Sequence, residues 1–209
     1  MKKNVIFDFD GTIANTLPVI FAVVNKLALQ VGLKQLTWDE FSELRTLSHL
    51  QLVKRYYRII PYLSGLIPNA HKEMYNLMQA VTPFDGMIEL LVFLQKKNLR
   101  LGILSSNAKD NIDLFVQKYN LDMLDFIHTE GNLFGKDKAL INIMKSYSLN
   151  KKETIYIGDE TRDIDACGKI GLDIISVTWG FNTKESLQKH KPMFLVEKVS
   201  DLQAVILKT

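Results

Sequence analysis

Asn4-Val5-Ile6-Phe7-Asp8-Phe9-Asp10-Gly11-Thr12 carries the chain's first apolar run into acid and glycine. Residues 4–9 are short, apolar and include β-branched Val5 and Ile6, which predicts a buried strand. Side chains two apart on a strand share a face, so Asp8 and Asp10 are expected to meet at its carboxyl end. Two neighbouring carboxylates repel, and a divalent cation would hold them; hard oxygen ligands suit Mg2+. Gly11 lets the backbone turn tightly and approach an anion. An acidic turn that only caps a helix is the plainer alternative. A chance D-x-D-G-T in a chain of this length is, however, on the order of one in a thousand.

Outward from this strand, similar runs lie at 100–105, 154–159 and 173–179, with a weaker one at 125–131 and an edge strand expected at 193–198. Helical patterns at 87–98, 111–120, 138–149 and 162–171 fall between them. Strand alternating with helix predicts an α/β fold with a Rossmann-like parallel sheet.

The alternation breaks between the first strand and residue 83. Helices are expected over Leu17–Val31, from the capping-box spacing Thr37 to Glu40, over Leu47–Ile60 and over Asn69–Val81. Pro61, Gly65 and Pro68 are the expected breakers. Residues 17–81 therefore read as an inserted helical domain. Residues 1–16 and 82–209 form the core, with joints at Ala14–Leu17 and Thr82–Phe84. The insert holds seven basic and four acidic residues, so the chain's whole surplus of +3 lies on it. That suits a lid over an anionic substrate, although solvated helix faces explain any one of these charges equally well.

The chain has 209 residues, 47% of them hydrophobic and 23% charged, which is globular usage and excludes a disordered chain. Its single cysteine, Cys167, excludes an internal disulfide and fits a reducing compartment. The amino terminus does not read as a signal peptide, and no apolar stretch is long enough to span a bilayer. These features lead us to expect a cytoplasmic protein with no membrane partner. The small net charge gives no ground for a nucleic-acid partner, and the oligomeric state is not written in the sequence.

Three further motifs follow strands or open helices. Gly158-Asp159-Glu160-Thr161-Arg162-Asp163 offers Asp159 and Asp163, with Glu160 as a third candidate, to complete a carboxylate cluster around the same cation. Alone, these acids could be helix caps. Leu104-Ser105-Ser106-Asn107 supplies a hydroxyl and backbone N–H groups at a helix start, which makes an anion site or a plain N-cap. Phe134-Gly135-Lys136-Asp137-Lys138 supplies a lysine able to neutralise a phosphoryl oxygen or the aspartates.

In this order the motifs resemble those of the haloacid dehalogenase-like (HAD) hydrolase superfamily, most of whose members are phosphatases. The insert after Asp8–Thr12 resembles a type 1 helical cap. Pro83-Phe84-Asp85-Gly86-Met87 looks like the return into the core of phosphoglycolate phosphatase-like members. The resemblance implies a Mg2+-dependent phosphatase acting on a small phosphorylated metabolite. Asp8 would be the nucleophile that forms an aspartyl-phosphate, and Asp10 the general acid and base. Asp8, the main-chain oxygen of Asp10, and Asp159 would hold the metal, with Asp163 acting through water or orienting the others. Ser105 would bind the phosphoryl group, helped by Gly11, Thr12, Ser106 and Asn107, and Lys136 would offset its charge. Ser105 over Ser106, and Lys136 over Lys138, are register choices. A phosphomutase on the same scaffold is the nearest alternative, and a phospho-accepting receiver module a distant one. An acid at position 10 points to phosphorus rather than carbon–halogen chemistry.

Arg45 and Ser48 are placed near substrate by position alone. The four histidines show no metal-ligand spacing and read as surface or packing residues. Lys54-Arg55-Tyr56-Tyr57-Arg58 reads as one packed and one solvated helix face. Val177–Phe181 resembles a strand-end segment of the same relatives, or else packs aromatics at an edge.

Overall fold

The strands form because their apolar residues can be covered on both sides. In a computed structural model, which describes residues 2–57, 65, 67–131 and 135–209, six strands pair in parallel. They are β1 (Asn4–Phe7), β2 (Arg100–Ser105), β3 (Phe126–Thr129), β4 (Thr154–Gly158), β5 (Asp173–Val177) and β6 (Phe194–Val196), in the order β3-β2-β1-β4-β5-β6. Alternate residues feed two cores. Val5, Phe7, Leu101, Ile103, Ile155 and Ile157 face one side, and Ile6, Leu104, Tyr156 and Ile174 the other.

Helices α5 (Met87–Lys96), α6 (Lys109–Tyr119) and α10 (Val199–Lys208) cover the first face with Leu91, Leu94, Phe115, Leu202 and Ile206. Helices α7 (Lys136–Ser146), α8 (Thr161–Ile170) and α9 (Lys184–Lys189) cover the second with Leu140, Ile143, Ile164, Cys167 and Leu187. Neither α9 nor α10 was anticipated from the sequence.

β1 stops two residues earlier than expected. Asp8 still donates its N–H to Ile157 O (2.8 Å), but the N–H groups of Ile13 and Ala14 then converge on Phe9 O at 3.0 and 2.9 Å. Gly11 makes this loop possible at φ +71°. The acids thus sit on a tight turn just past the strand.

Between β1 and β2, beside α5, lie α1 (Leu17–Gln30), α2 (Trp38–Leu44), α3 (His49–Tyr56) and α4 (Ile67–Leu77). Helix α2 has the capping box read from the sequence: Thr37 Oγ1 accepts from Glu40 N (3.2 Å), and Glu40 accepts from Thr37 N (2.7 Å). Helix α3 starts later than expected because Ser48 and Gln51 form a second box. Arg58, Ile59, Ile60, Pro61 and Phe134 lie outside the described residues. Pro68 does not break a helix. It sits in the first turn of α4, where its missing N–H has no partner to lose. On α3, Leu52, Val53 and Tyr56 are partly buried, while Lys54, Arg55 and Tyr57 are exposed.

The two ends of the α1–α4 stretch meet. Asn15 N–H bonds Thr82 O (2.8 Å), Phe84 N–H bonds Ile13 O (3.1 Å), and Ala14 and Pro83 form an antiparallel bridge. No helix among the described residues is long and apolar enough to cross a membrane.

Candidate active site

The sheet order reverses between β1 and β4, and ligands in such sheets bind outside the strands' carboxyl ends at that point. Asp8 follows β1 there, Ser105 ends β2, and Asp159 follows β4. Lys136 and Asp163 enter from the first turns of α7 and α8.

Asp8, Asp159 and Asp163 are all buried, and each offers an oxygen within 4.8 Å of the others. Lys136 Nζ donates to Asp8 Oδ2 (2.6 Å) and to Asp163 Oδ1, and lies 5.2 Å from the centre of the Tyr156 ring. Burial works against the charge on Lys136, but Asp163 and Asp8 outweigh it and raise its pKa. Burial also lifts the carboxyls. Asp163 is pushed up to about 6, and Asp159 goes well above the usual range, with Glu160 and Asp8 adding to the effect.

Lys136 pairs with Asp8 and Asp163, while among the described residues Asp159 accepts only from Thr12 Oγ1 and Phe181 N, so three buried carboxylates lie beside one paired lysine and the cluster lacks positive charge. Its donors are all oxygens, the set a hard divalent cation takes. The surrounding backbone leaves room for Asp159: a Cβ on Gly11 would lie 2.2 Å from Asp159 Oδ2, and one on Gly180 2.1 Å from it. The residues present therefore fit a Mg2+ site.

Asp10 turns away from this cluster. Its carboxylate accepts from Asn107 Nδ2 (3.0 Å) and from Ser105 Oγ (3.3 Å). Burial, helped by the charge of Asp8, pushes its pKa up to about 6. An acid that holds its proton in that range suits proton transfer near neutrality.

Asp10, Ser106 and Asn107 border a cavity of about 240 Å³. Its far wall is Ile20, Val23, Val24 and Leu27 of α1 with Met74 of α4. A second cavity, of about 420 Å³, opens on Lys136 and is lined by His49, Leu50, Arg162 and Asp165.

Two expected substrate contacts are occupied otherwise. Thr12 is fully buried and donates its hydroxyl to Asp159 Oδ1 (2.8 Å), so it holds a carboxylate rather than facing the cleft. Arg45 donates to the carbonyls of Phe181 (Nε, 2.9 Å) and Gly180 (Nη2, 3.0 Å). Two cations of the insert are paired with its own acids: Lys26 with Glu73 (2.5 Å) and Lys34 with Glu40 (2.9 Å). Glu160 pairs with Arg162 Nη2 (2.6 Å), which also reaches Ser106 Oγ (3.3 Å).

Sequence reasoning marked Val177–Phe181 as a strand-end segment or edge packing, but missed what the residues after β5 bond. Phe181 donates its N–H to Asp159 Oδ2 (2.6 Å), and Trp179 Nε1 donates to Thr12 O (3.1 Å). Buried Asn182 accepts from Thr161 N (2.8 Å) and donates to Arg45 O (2.9 Å) and Leu47 O (3.0 Å). Gly180 directly past a strand end was the available signal. His49 is half-buried over this region, and its N–H bonds Thr161 Oγ1 (3.4 Å).

A family profile for haloacid dehalogenase-like hydrolases matches residues 5–177. A phosphoglycolate phosphatase of Synechococcus elongatus is 34% identical over 206 residues, 97% of each chain. The pyrophosphatase PpaX of Listeria monocytogenes is 25% identical across 97% of this chain and 95% of its own. The crystal structure of a predicted phosphatase from Clostridium acetobutylicum superposes over the full length of both chains, with a TM-score of 0.79 at 22% identity, which shows the common fold. A match of that extent, in sequence as well as in fold, makes the chain a member of the haloacid dehalogenase-like hydrolases.

Proposed function

We propose that the protein is a Mg2+-dependent phosphatase of small phosphate monoesters, working through a phosphorylated Asp8. One observation carries this reading: the Lys136 ammonium lies between Asp8 and Asp163, with Asp159 beside them, at the switch point of the sheet.

A carboxylate attacking a phosphate monoester brings like charge to like charge. Lys136 keeps a positive charge at Asp8 throughout the working pH range, because its pKa is raised. Asp8, Asp159, Asp163 and the main-chain oxygen of Asp10 would hold Mg2+, which when bound supplies further positive charge at the phosphoryl oxygens.

An Asp8 oxygen forms a bond to phosphorus while the ester P–O bond breaks. Asp10 gives its proton to the departing alkoxide. Asp10 then takes a proton from water as that water attacks the phosphorus, releasing phosphate and restoring the Asp8 carboxylate. In this reading the Ser105 hydroxyl would turn from Asp10 to a phosphoryl oxygen, helped by the main-chain N–H of Ser106. The cavity beside Asp10 would take the alcohol.

Residues 17–81 act in this reading as a cap over the cleft, since their α1 and α4 side chains wall that cavity. A cytoplasmic location belongs to the same proposal: phosphorylated metabolites are found there, and the buried thiol of Cys167 suits a reducing compartment. Because named relatives are a phosphoglycolate phosphatase and a pyrophosphatase, 2-phosphoglycolate and pyrophosphate head the substrates to try.

Asp8→Asn should abolish phosphate release from p-nitrophenyl phosphate while circular dichroism stays unchanged. Undiminished turnover would remove Asp8 as nucleophile. EDTA should silence the enzyme and added Mg2+ restore it; full activity without metal would refute the metal assignment.

A further inference from the structure

Asn107 reaches Asp10 through only one end of its amide, and two neighbours decide which end. The backbone N–H of Ala108 can only donate, and it bonds Asn107 Oδ1 (2.8 Å). Asn111, in the first turn of α6 and 1% exposed, donates its Nδ2 to the same oxygen (2.7 Å). With Oδ1 held twice, Nδ2 is the end left for Asp10, and it donates to Asp10 Oδ1 (3.0 Å). Asn107 N–H also donates to Ser105 Oγ (3.0 Å), which in turn donates to Asp10 Oδ2 (3.3 Å). The oxygens of Asp10 are thus met by the last residue of β2 and by the loop after it, and the buried amide of Asn111 locks that loop.

We propose that Asn111 is a positioning residue for proton transfer by Asp10, acting through Asn107 and touching neither substrate nor metal. The proposal rests on Asp10 being the general acid of the reaction described above. Its consequence depends on the leaving group. An alkoxide leaves poorly and needs the proton of Asp10 as the P–O bond breaks, whereas p-nitrophenolate leaves well without it. A misaimed Asp10 therefore harms alkyl esters far more than the p-nitrophenyl ester. A residue that merely supports the fold would harm both alike.

The experiment compares kcat/KM, which covers every step through loss of the alcohol, for an alkyl phosphate turned over by the enzyme and for p-nitrophenyl phosphate. The variants are Asn111→Ala, Asn111→Leu and, as the reference, Asp10→Ala. Leucine keeps the branched outline of asparagine but is larger, and alanine is smaller, so the two variants err in opposite directions and a split common to both comes from neither a void nor overpacking. Both Asn111 variants should lose about tenfold on the alkyl ester and less than about threefold on the aryl ester. Asp10→Ala should show the same split, larger. Equal losses on both esters in the Asn111 variants, or no loss, would overturn the proposal while leaving Asp10 in its role. An even loss in Asp10→Ala would instead overturn the role of Asp10 and the assignment of Asn111 with it.

Discussion

Asp159 is held in place as much by missing atoms as by bonds. Its two oxygens accept from Thr12 Oγ1 and Phe181 N, and its flanks press on Gly11 and Gly180. A methyl at Gly180 would also lie 2.3 Å from Gly11 O, so neither neighbour can yield cheaply. Gly180→Ala should therefore raise the Mg2+ concentration for half-maximal activity about tenfold, as losses of ligand support commonly do. A Mg2+ titration of the purified variant checks it; an unchanged midpoint would mean that Asp159 has slack. The acids of the site were legible because aspartates just past a strand, with glycine beside them, have few other uses. The supports were not. Thr12 and Arg45 look like ligand contacts in sequence, and only three-dimensional packing turns Thr12 onto Asp159 and Arg45 onto the Gly180 and Phe181 carbonyls.

At the level of elements, one buried amide joins three of them. Asn182 ties the N–H at the start of α8 to the carbonyls of Arg45 and Leu47 between α2 and α3, and Thr183 N–H adds a bond to Arg45 O (3.1 Å). The same segment carries the Phe181 N–H that holds Asp159, so the seat of α2 and α3 and the aim of a carboxylate share one strap. Asn182→Ala should accelerate hydrogen exchange of the Thr183 amide about tenfold and raise KM with a smaller change in kcat. Protection equal to the wild type would show that Asn182 is dispensable there. Core strands and α5 to α8 were readable from hydrophobic runs and period. Helix α10 was also there to read, with Val199, Leu202 and Ile206 at helical spacing, but it follows a three-residue edge strand and so broke the expected rhythm. The start of α3 depended on a Ser48–Gln51 box that was not considered, and Pro68 misled because the same residue stops a helix from inside and starts one from its first turn.

Across the whole molecule, the buried acids make stability depend on pH and metal together. Burial raises Asp10 and Asp163 to about 6 and lifts Asp159 well above the usual carboxylate range, so the folded chain binds protons that the unfolded chain has already released. Their effect is a penalty that is complete above the folded values and relieved as pH falls towards the unfolded ones. His49, whose pKa burial lowers, opposes this with a single proton, and Glu160, also lowered, stays ionised throughout the window. EDTA-treated protein should therefore melt higher at pH 5.5 than at pH 7.5, by up to about 1.4 kcal/mol per pH unit for each proton taken up. Added Mg2+ should stabilise it more at pH 7.5, where fewer protons compete for the carboxylates. A flat melting temperature without metal would contradict the clustering. Net charge alone does not reveal direction: Lys26 pairs with Glu73 and Lys34 with Glu40, while the surplus lies on the other cations of residues 17–81. The joint at Asn15–Thr82 and Ile13–Phe84 has a broader consequence. Because the excursion departs and returns through adjacent backbone, it behaves like a tool head on a common handle. A change in its length or lining therefore need not move the backbone at Ile13–Asn15 and Thr82–Phe84, nor the strands behind it.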